Sequence, residues 1–137
     1  MTNEPRAGTI YERIGGEPVV HALVDRFYDI VEADYPILAA MLPNNTTVTR
    51  RKLFDFLSGW MGGPNLYIER HGHPRLRLRH FPFRIDDEAA KLWLEAMYRA
   101  MDDTGITGDN LVFLQSRFLQ TAAHMRNVIT EEPEVAP

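Results

Sequence analysis

The residues with the most chemical capacity are crowded between Arg70 and Arg84. Arginines stand at 70, 75, 77, 79 and 84, histidines at 71, 73 and 80, and no carboxylate falls among them. A guanidinium is a planar fork of donors that suits phosphate and carboxylate groups. The stretch therefore reads as an anion-binding segment or, more plainly, as a solvated basic face paired with acidic neighbours. His71-Gly72-His73 offers two imidazoles, but tetrahedral zinc needs two more ligands and none is clearly arranged to supply them. His80 is a different case. It precedes Phe81-Pro82-Phe83, and the residue before a proline is pushed out of the helical region, so a helix reaching His80 must stop there. An imidazole at a helix end among bulky apolar residues suits a metal lying against an apolar floor. The plainer account is a structural histidine satisfied by a hydrogen bond. The flanking arginines could meet the propionates of a haem whose iron His80 ligates, and a cysteine-free, all-α chain is a permissive setting for haem held by one imidazole. Tyr28 and Trp93 add a hydroxyl and an indole N–H on helices otherwise patterned as core. Once buried, such groups want an acceptor, and a diatomic ligand on iron would be one.

Other chemistries lack their residues. Without cysteine there are no thiolate metal sites and no cysteine nucleophile. Gly15-Gly16 and Gly62-Gly63 are pairs at helix ends, not the glycine loops that cradle phosphate. Neither HExxH nor a paired ExxH occurs, and the only serines, Ser58 and Ser116, sit on no nucleophile elbow.

The elements that must position these groups are helices, since no segment alternates convincingly as a strand. Thr9 caps a short helix ending at Gly15-Gly16. Glu17 and Pro18 open a longer one with Val20, Leu23, Val24, Phe27 and Val31 along one buried stripe. Pro36 interrupts, a short helical stretch runs to Leu42, and Pro43-Asn44-Asn45 makes a turn. Thr46, Thr47 or Thr49 caps the next helix, with Leu53, Phe56, Leu57 and Trp60 on one side, and Gly62-Gly63-Pro64 ends it. The stretch from Asn65 to Arg84 reads as loop, with one short helix between Arg75 and His80. Asp86, Asp87 and Glu88 begin a helix to about Met101 carrying Trp93, Met97 and Ala100. Gly105 and Gly108 turn the chain, and Asp109 starts a last helix through Leu111, Leu114, Phe118, Ala122 and Met125. An all-α fold follows, with four substantial helices, two short ones and a loop around residues 62 to 75.

Length and charge narrow the field. At 137 residues the chain suits one domain, 1–137, with a core at about 9–130 and short tails. A composition 45% hydrophobic and 25% charged is globular usage and excludes a disordered tail. The net charge of −4 argues against a general nucleic-acid binder, because ten basic residues face nineteen acidic ones outside the 70–84 stretch. The longest clean apolar run, Ile37 to Leu42, is far from the roughly 20 residues that span a bilayer. The N-terminus lacks an apolar signal core, so a soluble, cytoplasmic protein with no membrane partner is expected.

Taken together, Gly15-Gly16, DRFYDIV (25–31), KLFDFLSGWMGGP (52–64), RHGHPRLRLRHFPFRI (70–85) and WLEAM (93–97) resemble a truncated haemoglobin of the second group. The resemblance covers about residues 9 to 128, and the spacing of thirteen residues from His80 to Trp93 belongs to it. It implies a two-over-two helical sandwich around haem b (iron protoporphyrin IX), with His80 as the proximal iron ligand. His73 would shape the loop and the haem edge, and Phe83 would lie against the cofactor. Tyr28 and Trp93 are implied as hydrogen-bond donors to the bound ligand. Leu53, Leu57, Phe27 and Phe56 would line the distal side, and Thr49 falls where older globins place a distal histidine. Arg79, Lys52 and Tyr67 would meet the propionates. Where the family often carries Tyr, His or Phe before Pro43, this chain has Leu42, so the implied network is Tyr28 and Trp93.

The function this implies is reversible binding of dioxygen and other diatomic ligands. Nitric-oxide dioxygenase or peroxidase-like chemistry is compatible with it, given an electron donor that the chain does not identify. No flavin or nicotinamide motif is present. The sequence leaves monomer or homodimer open. The rival reading is a helical anion- or nucleic-acid-binding module that uses the Arg70–Arg84 cluster, with affinity falling steeply with salt.

Overall fold

The computed structural model describes residues 8–72 and 87–125. Among these residues are seven helices and no strand: α1 (Ile10–Ile14), α2 (Glu17–Asp34), α3 (Pro36–Ala39), α4 (Thr47–Trp60), α5 (Leu66–His71), α6 (Asp87–Asp103) and α7 (Gly108–Met125). They pack as two pairs, α2 with α4 and α6 with α7, and α2 also lies against α6 to join the pairs. None of the described helices is long and apolar enough to cross a membrane.

Local signals account for most of the boundaries. Thr9 Oγ1 accepts the Glu12 backbone N–H at 3.3 Å, capping α1. Pro18 sits in the first turn of α2, where its missing N–H costs nothing. The stripe expected on α2 is realised: Val20, Leu23, Val24, Phe27 and Val31 are all buried, and Tyr28 and Ile30 widen it on either side. On α6 and α7 the buried positions include Ala96, Met97, Ala100, Leu114, Phe118 and Ala122. The expected apolar side of α4 is less covered. Leu57 is buried, whereas Leu53, Phe56 and Trp60 are only half-buried against the core.

Three expectations need correction. The cap of α4 comes not from a threonine but from Asn45, whose Oδ1 accepts the Thr47 N–H at 2.9 Å. Thr46 is the N-cap residue by position, but its hydroxyl is engaged with Glu32 and Arg50. The last helix starts at Gly108, one residue early. Finally, the segment read as loop after Asn65 contains α5. Its six residues have too little local helix-forming strength to stand alone, and they are held by tertiary contacts. The Tyr67 ring meets Phe56 edge-on at 6.1 Å, and Arg70 Nη1 pairs with Asp55 at 2.9 Å. The short helix expected between Arg75 and His80 lies outside the described residues.

The glycine pair after α4 has a packing reason. The Tyr11 N–H donates to the Met61 carbonyl at 3.0 Å, docking α1 on the end of α4. Gly62 has φ 93°, and a Cβ on Gly63 would sit 2.6 Å from Cδ1 of the Tyr11 ring. Gly63→Ala therefore pushes a buried aromatic ring out of place. It is expected to lower stability by about 2 kcal/mol, measured by chemical denaturation. An unchanged midpoint would contradict this close packing.

Candidate functional site

α2 presents Phe27 and Tyr28 at its contact with α4 and α6. The Phe27 ring stands edge-on to Tyr28 at 5.0 Å and meets Trp93 of α6 at 5.3 Å. Trp93 continues to Phe118 of α7 at 5.6 Å, and Phe118 lies 4.7 Å from Trp60. Aromatic pairs at such separations each add about 1 kcal/mol beyond area burial, so the cluster holds the residues of four helices in fixed relation.

Two rings of this cluster carry a polar group. Tyr28 is 8% exposed and Trp93 half-buried, and neither the Tyr28 hydroxyl nor the Trp93 indole N–H has a hydrogen-bond partner among the described residues. No fully enclosed side-chain nitrogen or oxygen lacks a partner among them. Neither donor atom is therefore fully enclosed by the fold. Burial raises the Tyr28 pKa well above the ordinary phenol value, although the Arg50 charge pulls the other way. The hydroxyl is thus a donor throughout the physiological range.

The other described candidates take varied positions. Leu53, Phe56 and Leu57 succeed one another along α4 and pack on the core. Thr49 is half-buried in the first turns of the same helix. Lys52 is exposed and makes no ion pair with any described residue. Tyr67 is buried against Phe56. His80, Arg79, His73 and Phe83 lie outside the described residues. Leu42, at the corner that lacks an aromatic donor, packs half-buried on the core.

One member of the basic stretch is used within the fold. Arg70, itself half-exposed, pairs with a carboxylate of Asp55 that is wholly buried. This fits the plainer reading of that arginine as the partner of an acidic neighbour. Ser58 gives its hydroxyl to the Phe54 carbonyl at 2.8 Å, as expected of a helical serine with no nucleophilic role. Among the described residues no group of three His, Asp or Glu side chains could hold a metal ion.

Sequence reasoning missed the surroundings of Arg50. Its guanidinium reaches Glu32 at 2.7 Å, Asp29 at 3.0 Å and Asp25 at 3.3 Å, and lies over the Tyr28 ring at 5.6 Å. The available signal was the spacing of Asp25, Asp29 and Glu32 on one face of α2.

The bacterial-like globin family profile matches residues 9–127. The chain is 48% identical over 117 residues to the group 2 truncated hemoglobin YjbI of Bacillus subtilis, covering 85% of this chain and 87% of that protein. Among solved structures it is similar to the group II truncated hemoglobin of Bacillus anthracis, with TM-score 0.86 and 46% identity over 90% of this chain and 99% of that one. It is also similar to the truncated oxygen-avid haemoglobin of Bacillus subtilis, with TM-score 0.83 and 46% identity over 88% of this chain and all of that one.

The raised Tyr28 pKa gives a pH test of its burial. A phenol that holds its proton more tightly when folded stabilises the fold fully below its unfolded value of 10.0, and that contribution is lost as pH rises further. Stability measured by denaturant between pH 9 and pH 12 should fall less steeply in Tyr28→Phe than in the parent, by up to about 1.4 kcal/mol per pH unit. Parallel alkaline limbs would contradict a buried phenol.

Proposed function

The chain belongs to the bacterial-like globins as a truncated haemoglobin of the second group, and we propose that it binds dioxygen and related diatomic ligands reversibly at a histidine-ligated haem. The family implies a haem cofactor. The observation that carries the ligand-binding reading is the Tyr28 hydroxyl and the Trp93 N–H, two donors without a hydrogen-bond partner among the described residues, on rings that both contact Phe27. Largely buried donors without an acceptor among the described residues suit a small acceptor that comes and goes. The half-buried apolar side of α4 suits the edge of a flat, apolar cofactor, so the residues present fit the group.

Haem b, when bound, supplies the iron at which a diatomic ligand is held. His80 would hold its iron, Arg79, Lys52 and Tyr67 would meet its propionates, and His73 and Phe83 would contact it. The remaining work falls to the chain. Phe27, Leu53, Phe56 and Leu57 keep bulk water from the distal side, and Thr49 borders it. Tyr28 and Trp93 donate to the ligand. A ligand that accepts hydrogen bonds strongly, such as dioxygen, would gain more from these two donors than carbon monoxide would. Selectivity for dioxygen follows, in keeping with the oxygen-avid description of the Bacillus subtilis relative.

Nitric-oxide dioxygenation or peroxide reduction would need an external electron donor, because the chain carries no flavin or nicotinamide motif. The reading places one globin domain in the cytoplasm.

Two measurements test this assignment. Tyr28→Phe and Trp93→Phe are each expected to speed dioxygen dissociation by roughly tenfold or more, the loss of one hydrogen bond to a charged acceptor. Stopped-flow rates unchanged in both variants would refute the distal donors. His80→Ala should fail to retain haem through gel filtration, and a normal holoprotein spectrum from it would refute the axial ligand.

A further inference from the structure

Asp25, Tyr28, Asp29 and Glu32 occupy positions i, i+3, i+4 and i+7 of α2, which places them on one helix face. Three are carboxylates and the fourth is the tyrosine assigned above as a ligand donor. Opposite them, in the first turn of α4, stands Arg50. Its Nη2 donates to Glu32 Oε2 at 2.7 Å and to Asp29 Oδ1 at 3.0 Å. Its Nη1 donates to Asp25 Oδ1 at 3.3 Å and to the Asp25 carbonyl at 3.2 Å, and Nε donates to Thr46 Oγ1 at 3.0 Å. The Thr46 hydroxyl itself donates to Glu32 Oε2 at 3.4 Å. The guanidinium side chain is 22% exposed and is drawn tightly into this set. Burial alone would lower its pKa, but the bonds to Glu32, Asp29 and Asp25 raise it overall.

This grip does more than join two helices. The acceptors lie on successive turns that bracket Tyr28, so α2 can neither slide nor roll against α4 without breaking several charge-assisted bonds at once. The guanidinium carbon also lies 5.6 Å from the Tyr28 ring centroid, within cation–π range. The cation thus lies over a ring that neighbours the core stripe without standing at its centre. A cation against the ring draws electron density from the phenol, which makes its hydroxyl a better donor.

We propose that Arg50 is a positioning residue for ligand binding, setting the aim and donor strength of the Tyr28 hydroxyl through its hold on Asp25, Asp29 and Glu32. This rests on Tyr28 being a distal donor, as assigned above. Lysine keeps the charge but lacks the fork that reaches several carboxylates, so Arg50→Lys isolates the positioning role.

The test is a double-mutant cycle on the holoprotein with Arg50→Lys, Tyr28→Phe and the combined variant. It reads dioxygen dissociation, the infrared stretching frequency of bound carbon monoxide, and the melting temperature. Arg50→Lys is expected to speed dissociation by about threefold to tenfold and to move the carbon monoxide stretch toward its value in Tyr28→Phe. In the Tyr28→Phe background it is expected to change neither. A fast Tyr28→Phe beside an unaltered Arg50→Lys would overturn the role of Arg50 while leaving the distal donor standing. Equal effects of Arg50→Lys in both backgrounds would also overturn it, since a merely structural arginine lowers stability without acting through Tyr28. No effect of Tyr28→Phe itself would remove the reading on which the inference stands. Should Arg50→Lys not fold with haem, Glu32→Gln removes the shortest of the ion pairs, and the same cycle applies with the same opposing outcomes.

Discussion

The ring contact between Phe27 and Trp93 is the constraint on which the site depends. It occurs where α2, already packed on α4, also meets α6, and it sets the separation of the two donors. Tyr28 follows Phe27 in sequence and so points about 100° away around the helix. Burying both takes a wider apolar face than the stripe of Val20, Leu23, Val24, Phe27 and Val31 supplies. On the side where Tyr28 lies, Arg50, paired with its carboxylates, sits over the ring. A hydroxyl can then sit in an apolar wall without being lost to bulk water.

A second set of contacts determines how the chain leaves α4. The end of that helix is tied to α1 through Tyr11 and Met61, and Gly63 lets the Tyr11 ring come close. Beyond the turn, α5 is held back against α4 by Tyr67 on Phe56 and by Arg70 on Asp55. Breaking a buried pair by removing one member is costly because the remaining charge stays in the interior. The Asp55–Arg70 pair therefore helps to hold α5 against α4.

The large helices were legible because amphipathic periodicity is a local signal, and α2, α4, α6 and α7 each display it over at least fourteen residues. α5 was not, since its six residues are helical only through partners on α4 that no local pattern reveals. The cap of α4 was misassigned for a related reason: Thr46 is a good capping residue, but Glu32 and Arg50 claim its hydroxyl and Asn45 takes the role. At the site, Tyr28 and Trp93 could be singled out as polar groups on apolar faces, yet their joining through Phe27 is a tertiary fact. Arg50 was invisible because its partners are 18 to 25 residues away in sequence. Arg70, read either as part of an anion-binding cluster or as the partner of an acidic neighbour, pairs with the buried carboxylate of Asp55.

The central claim is that this fold holds a haem whose iron is open to a diatomic ligand. The most direct measurement is the absorption spectrum of the purified protein, taken as isolated, after dithionite, and after carbon monoxide is added to the reduced form. The account predicts a strong Soret band that moves sharply on addition of carbon monoxide. A protein that shows no such band, even after incubation with haemin under reducing conditions, would contradict it.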